Sequence, residues 1–296
     1  MKLEEVIIIG AGPGGLATAL QLKRYGIDPL IFERDQIGGL LYNANLVENY
    51  PGFPGGISGP DLVNTFENHI RVNSLRIESE NVEGLTHSRG VFQVVTSGHS
   101  IQARIVVIAT GTKPRQFTDF EIPADAKEWV FYEVYPVLDR KGQRIAIVGA
   151  GDAAFDYALN LAKSNDVLVL NRGEEISCLP LLWERAKEIP TISYLPNTTI
   201  LRLESTSELG LTLDCATPDG PKSVPVDVLI GAIGRDAQLD FISGQFSKKA
   251  IQLVSHGDLY YVGDVTNGLY RQTAIAVGDG ILAAMKIYRR FEEMDL

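Results

Sequence analysis

The feature that most restricts the fold is a strand that runs into a glycine loop and then a helix, and it occurs twice. Val6 to Ile9 is a continuous apolar run, Gly10-Ala11-Gly12-Pro13-Gly14-Gly15 follows it, Leu16 to Tyr25 reads as a helix, and Pro29 to Glu33 as a second strand. Arg144 to Val148, Gly149-Ala150-Gly151-Asp152-Ala153-Ala154, Phe155 to Lys163 and Val167 to Asn171 repeat that order. Apolar runs without alternation suit parallel strands buried on both faces. In the spacing Gly-x-Gly-x-x-Gly the first glycine allows a tight turn and the second lets the backbone approach a pyrophosphate. The third lets the helix pack close to the strand. The helix N-terminus then offers unpaired N–H groups and a positive dipole end to the phosphates.

The first loop therefore predicts a dinucleotide site at Gly10, Gly12, Pro13, Gly14 and Gly15. Glu33 ends the second strand, where a carboxylate would accept the hydroxyls of an adenosine ribose. The second loop carries Ala154 in the third position, which the pattern admits. At the end of its second strand stand Asn171, Arg172 and Gly173, with acids only at Glu174 and Glu175. This loop predicts a nicotinamide nucleotide site at Gly149, Gly151, Asp152, Ala153, Ala154, Asn171 and Arg172.

The rest of the chain fits around these two units. Gly90 to Val107 alternates, predicting a small antiparallel meander that feeds a buried strand at Ile105 to Ala109. Thr198 to Ile233 is a similar stretch after the second unit. A short strand at Leu259 to Val262 and a helix at Thr273 to Phe291 are too little for a domain and are expected to complete the first unit. With 296 residues, about two domains are expected. The expected fold is α/β: two Rossmann-like three-layer nucleotide-binding domains, the second inserted into the first. Residues 1–113 and 238–296 would form the first and 114–237 the second.

Composition excludes several classes. A net charge of −10 argues against nucleic acid, whose affinity rests on Lys and Arg neutralising phosphates, and against anionic membrane surfaces. It leaves room for a local basic patch facing an acidic partner. The two cysteines, Cys178 and Cys215, lie far apart and form no Cys-x-x-Cys. They point to a reduced, cytoplasmic protein with inert packing thiols. No signal peptide or membrane span is expected. His69, His87, His99 and His256 are scattered without ligand spacing, so no metal site is expected.

Beyond the two loops, Gly38-Gly39-Leu40-Leu41, Glu48-Asn49-Tyr50-Pro51-Gly52-Phe53, Ala109-Thr110-Gly111, Gly263-Asp264 and Arg271-Gln272-Thr273-Ala274 carry a resemblance. The chain resembles the thioredoxin reductase-like flavoproteins with two dinucleotide-binding domains, over essentially its whole length. The resemblance implies FAD in the first domain and NAD(P)H in the second. It implies that Glu33, beside Arg34, holds the ribose. Gly39, Leu40, Asn49 and Tyr50 would lie along the flavin, and Val82 would touch the adenine. Ala109, Thr110 and Gly111 would mark the crossing beside FAD. Asp264, after Gly263, would bind the ribityl chain, and Gln272, Thr273 and Ala274 would aim a helix N-terminus at the flavin. Gly234 joins the implied nicotinamide set. A homodimer is implied as well.

Two departures bear on function. Thioredoxin reductases carry a Cys-x-x-Cys before the second glycine loop, whereas Trp129 to Tyr135 contains no cysteine. Without a thiolate the usual disulfide exchange has no nucleophile. Relatives that use NADPH carry a cluster of cations where this chain has Asn171-Arg172-Gly173-Glu174-Glu175-Ile176-Ser177. Only Arg172 survives there, so NADH competes with NADPH as the expected donor. A cysteine-free member is similar to the ferredoxin–NAD(P) reductases of thioredoxin reductase type. The sequence leaves three readings open. The first is an FAD enzyme passing electrons between NAD(P)H and ferredoxin or a small-molecule acceptor. The second is a non-catalytic or NAD(P)H-independent FAD-binding protein. The third is an enzyme that reduces an external disulfide directly at the flavin.

Overall fold

A computed structural model describes residues 3–206 and 210–294. Residues 207–209, within the alternating stretch expected at Thr198 to Ile233, lie outside the described residues. The chain divides into two compact units, one of residues 1–42, 47–113 and 236–296, the other of residues 43–46 and 114–235.

The first unit begins with β1 (Leu3–Ile9), α1 (Pro13–Arg24), β2 (Leu30–Phe32), α2 (Gly59–Val72) and β3 (Arg76–Glu78). It continues through β4 (Val82–Ser88), β5 (Val91–Thr96) and β6 (Ser100–Ile108) to a crossing strand, β7 (Thr112–Pro114). The second unit contains β8 (Val130–Phe131), β9 (Arg144–Val148), α3 (Asp152–Leu161), β10 (Asp166–Leu170), α4 (Pro180–Lys187) and β11 (Ile192–Leu195). Then come β12 (Thr199–Thr206), β13 (Gly210–Thr217), β14 (Gly220–Val226) and β15 (Val228–Gly231). The chain returns through β16 (Arg235–Ala237) to α5 (Gly244–His256), β17 (Leu259–Tyr261) and α6 (Thr273–Met294).

In the first unit, β3, β2, β1 and β6 pair in parallel, and β17 adds to β6 beside Val106 to Ile108. β17 therefore completes the first sheet, and α6 packs with α1 in the same core cluster. One expectation needs correction. The meander and the buried strand at Ile105 to Ala109 are not separate pieces. β6 is one strand: along one edge it pairs parallel with β1 from Gln102 to Ile108, and along the other it passes from β5, antiparallel at Ser100 to Ala103, to β17, parallel at Val106 to Ile108. A single extended strand can serve both ladders because its pairing edges run unbroken from polar Ser100 into apolar Ile108. Val6, Ile7, Ile8, Val106, Val107 and Ile108 are buried with no exposed surface, as parallel strands covered on both faces require.

The second unit repeats the pattern with β11, β10, β9, β15 and β8 in parallel, and β12, β13 and β14 form a separate antiparallel sheet. Its core is its own: Phe155, Ile145, Ile147, Val169 and Ile230 form one cluster, and Leu203, Leu211, Leu213 and Cys215 another. Residues 43–46 count with this unit because Asn43 Nδ2 donates to Glu133 at 2.7 Å and the Asn45 N–H to Asp156 at 2.9 Å. Both glycine-loop helices start earlier than their apolar runs suggest, at Pro13 and Asp152 rather than Leu16 and Phe155. Proline suits the first helical position, where its missing N–H costs nothing. The amphipathic run at Asp61 to Arg71 lies inside α2, capped by the Ser58 side chain. α5 has no counterpart in the sequence reading, although Ser243 caps it and Phe246, Ala250 and Leu253 bury one of its faces.

Candidate dinucleotide sites

The first site is assembled from segments distant in sequence around the end of β1. Gly10 turns the chain at φ +107°, and a Cβ there would lie 2.4 Å from the Ala109 carbonyl oxygen. A side chain is excluded by both backbone conformation and space. The same contact puts Ala109 and Thr110 against the loop. The Gly10 N–H donates to the Phe32 carbonyl at 2.8 Å, and the Ala11 N–H donates to Glu33 Oε2 at 2.7 Å. Glu33 Oε1 accepts the Asp35 N–H at 3.0 Å. These two bonds fix the carboxylate at the strand end and still leave lone pairs for a ligand hydroxyl. The Gly38 N–H reaches the Ala11 carbonyl at 2.9 Å, which brings Gly39 and Leu40 to the loop.

The residues fit a pyrophosphate at this point. α1 has Gly12 at its N-cap position and so no side-chain cap, whereas α2 and α5 are capped by serines. A Cβ built on Gly12 would meet no atom within 4 Å. Open space thus lies beside uncapped N–H groups at a positive helix end, the arrangement that suits a phosphate. Gly15 answers a different need. Its Cβ would lie 2.0 Å from the Gly10 carbonyl oxygen, so α1 seats directly on the turn.

The C-terminal segment closes the site. Gly263 turns at φ +74° and Asp264 follows it. Asn49 Nδ2 donates to Gln272 Oε1 at 2.8 Å, joining two predicted segments immediately before α6 starts at Thr273 and Ala274. Thr110 Oγ1 donates to the Gln238 carbonyl at 2.7 Å, and the Gln238 N–H to the Gly111 carbonyl at 3.0 Å. Val82 opens β4 with its side chain buried in the core. Arg34 is exposed and pairs with Asp35. Tyr50 packs among aromatic rings, 6.2 Å from Phe53 and 6.4 Å from Phe66.

Sequence reasoning missed Asp279. Its Oδ2 accepts the Gly263 N–H at 3.1 Å and Asn267 Nδ2 at 2.6 Å, tying the turn that bears Asp264 to α6. Gly280 beside it lets the helices meet, since a Cβ there would lie 2.2 Å from the Gly14 carbonyl oxygen. The Gly-Asp-Gly sequence inside a long helix was the available signal, because glycine is costly there without a packing reason. Asp279→Ala leaves the buried Gly263 N–H without its acceptor, a cost of about 1–3 kcal/mol. The variant is expected to release FAD more readily on dilution, read by the rise of free-flavin fluorescence.

The second site shares the geometry with one difference. Gly149 turns at φ +141°, and its Cβ would lie 2.4 Å from the Ala232 carbonyl oxygen. α3 has Gly151 at its N-cap position, again without a side-chain cap. Ala154, fully buried, replaces the third glycine, so this helix leaves room for a methyl group. A following segment lies over the loop: the Ser177 N–H and Oγ reach the Ala150 carbonyl at 3.0 and 3.2 Å, and the Leu179 N–H reaches Asp152 Oδ1 at 2.7 Å. Ala153 is exposed, and Gly234 turns at φ +104° with its carbonyl accepting the Arg115 N–H at 3.0 Å. Asn171 turns inward, while Arg172 is exposed.

The stretch at Trp129 to Tyr135 is largely aromatic and apolar, with Trp129, Phe131 and Val134 in or against the core of the second unit. The Tyr132 hydroxyl accepts the Phe117 N–H at 3.0 Å, and Glu133 pairs with Arg235 at 2.6 Å. Both cysteines are free, and burial pushes both thiols up from their ordinary value. A raised thiol is protonated at neutral pH and is a poor nucleophile. His99 sits 3.6 Å from both Glu78 and Glu80, a surface grouping that sequence spacing did not bring together. Among the described residues no helix is long and apolar enough to cross a membrane.

Two glycine-loop units with uncapped helices, each on its own parallel sheet, define a protein with two dinucleotide-binding folds. A family profile described as pyridine nucleotide-disulphide oxidoreductase matches residues 4–280. The chain belongs to the pyridine nucleotide-disulphide oxidoreductase family, whose enzymes use FAD and NAD(P)H, and is thioredoxin reductase-like within it. It is 29% identical to a thioredoxin reductase of Mycolicibacterium smegmatis, over 99% of this chain and 98% of that one. It is 30% identical to a bifunctional thioredoxin reductase/thioredoxin of Mycobacterium leprae, spanning 66% of that protein's length. Among solved structures, the thioredoxin reductase of T. acidophilum superposes with a TM-score of 0.86 at 25% identity, covering 99% of this chain and 100% of that one. That of Lactococcus lactis shares the fold at TM-score 0.86 and 23% identity, covering 98% and 99%.

Proposed function

We propose that the first unit holds FAD, that the second takes a nicotinamide dinucleotide, and that electrons leave the flavin for an acceptor without a protein dithiol in between. Bound FAD supplies the ring that accepts a hydride from NAD(P)H and gives electrons onward. The chain's part is positioning. Gly12 to Gly15 and the start of α1 would receive the pyrophosphate, Glu33 the adenosine ribose, Asp264 the ribityl chain, and Thr273 at the start of α6 the flavin's pyrimidine edge. A helix N-terminus at that edge favours negative charge there. Gly149 to Ala154 at the start of α3 would receive the second dinucleotide. No side-chain acid or base is needed for hydride transfer, only two rings held in line.

The observation that carries this reading is the thiol inventory. The two cysteines form no Cys-x-x-Cys, and burial raises both thiols. The acceptor proposed is a small redox protein such as ferredoxin or a small-molecule acceptor. The reading includes a homodimer, supported by the exposed apolar side chains of Ile275, Leu282 and Met285 on α6. Anaerobic addition of NADH or NADPH is expected to bleach the flavin absorbance. The double variant Cys178→Ser/Cys215→Ser should bleach at the same rate and pass electrons to an artificial acceptor at the same rate. A flavin that neither donor reduces, or a loss of acceptor turnover in the double variant, would sink the proposal.

A further inference from the structure

Asn171 follows β10 directly and is 9% exposed. Its amide is committed to the loop that it begins. Nδ2 donates to the Glu175 carbonyl and to the Tyr194 hydroxyl, both at 2.9 Å, and Oδ1 accepts the Gly173 N–H at 3.1 Å. The backbone is held from the other side by Asn171 N–H to the Leu195 carbonyl at 3.0 Å, Thr198 N–H to the Asn171 carbonyl at 2.8 Å, and Asn197 N–H to the Gly173 carbonyl at 2.9 Å. Tyr194 is seated by Phe155 and Trp183, with ring centroids at 6.1 and 5.3 Å. The Glu175 carbonyl therefore points inward, and the side chains of Arg172, Glu174 and Glu175 are exposed. Among the described residues none of these three side chains forms an ion pair.

In a dinucleotide-binding fold this loop meets the adenosine ribose. Acids accept its 2′-hydroxyl, and an arginine accommodates a 2′-phosphate. Here the loop offers one cation and two carboxylates. A hydroxyl can donate to either carboxylate. A phosphate, carrying up to about two negative charges near neutral pH, meets a net negative surface. Asn171 itself cannot relieve this, because its donors are spent inside the loop.

We propose that Asn171 is a positioning residue that sets the Arg172–Glu175 loop as a selector for NADH over NADPH. The inference rests on the reading of the second unit as the nicotinamide site. Calorimetric titration of the FAD-loaded protein with NAD⁺ and NADP⁺ tests it, with 5′-AMP and adenosine 2′,5′-bisphosphate isolating the loop. NAD⁺ is expected to bind at least about tenfold more tightly than NADP⁺, about 1.4 kcal/mol. Glu174→Arg/Glu175→Arg should raise NADP⁺ affinity and close or reverse the gap. Asn171→Ala should erase much of the preference, and Tyr194→Phe, which removes one of the three side-chain bonds, should give an intermediate ratio. Should Asn171→Ala fail to fold, Tyr194→Phe still decides, because a ratio unmoved by loss of the Tyr194 hydroxyl overturns the positioning role. NADP⁺ binding as tightly as NAD⁺, or a ratio unmoved by Glu174→Arg/Glu175→Arg, would overturn the selector and leave the donor reading standing. Binding of neither dinucleotide would overturn both.

Discussion

Gly15→Ala is expected to yield a protein without flavin and with a markedly lower melting temperature. The added methyl would lie 2.0 Å from the Gly10 carbonyl oxygen and 3.2 Å from Ala109 Cβ. Neither neighbour is a flexible side-chain tip. α1 would have to lift from the turn, and with it the uncapped N–H groups that face the phosphate space. Overpacking usually costs about 1–3 kcal/mol and sometimes more. A clash with backbone belongs at or above the upper end of that range. Gly12→Ala makes the complementary case. Its methyl meets no protein atom within 4 Å, so melting of the flavin-free protein should be unchanged while FAD affinity falls. The pair separates a glycine kept for helix packing from one kept for ligand approach. Flavin-to-protein absorbance ratio and thermal melting of both variants supply the check. Full flavin content and normal melting in Gly15→Ala would refute the packing account.

The second large effect is expected from Phe155→Ala. Phe155 is fully buried on α3, against Trp183 at 5.4 Å and Tyr194 at 6.1 Å. Truncating a core phenylalanine costs about 3–5 kcal/mol, a large share of the stability of an ordinary domain. The loss falls on the second unit, whose clusters share no residue with those of the first. The variant should lose nicotinamide binding and become sensitive to proteases between Pro114 and Arg235, while keeping its FAD. Tyr194 loses a neighbour as well, so any remaining dinucleotide binding should show a weaker preference for NADH. Retained nicotinamide affinity, or simultaneous loss of flavin, would contradict the picture of independent cores.

Much of the site could be read from local pattern because its logic is local. A turn that needs positive φ at Gly10 and Gly149, a helix that needs space beneath its first turn, and an acid at a strand end each leave a mark within a few dozen residues. The same holds for β1 and β9, whose unbroken apolar runs carry the signature of burial on both faces. The β6 strand was divided in error because a change of partner along one edge leaves no boundary in periodicity. α5 went unread although Ser243 and the spacing of Phe246, Ala250 and Leu253 carry its signal. Its exposed Ile251 and Val254 blur that stripe.

The amino-acid sequence alone determined the two glycine loops, the acid at Glu33, the absence of a Cys-x-x-Cys and the family to which these belong. Each depends on residue identity or on contacts between near neighbours. Tertiary structure alone decided what long-range partners do with those residues. It showed Asp279 on α6 holding the Gly263 turn, and Gly280 letting α6 close on Gly14. It also showed the Asn171 amide drawn inward by Tyr194 on a neighbouring strand. The physical reason is that a buried hydrogen-bond donor or acceptor is satisfied by whichever group folding brings within about 3 Å, and one-dimensional spacing does not encode that proximity.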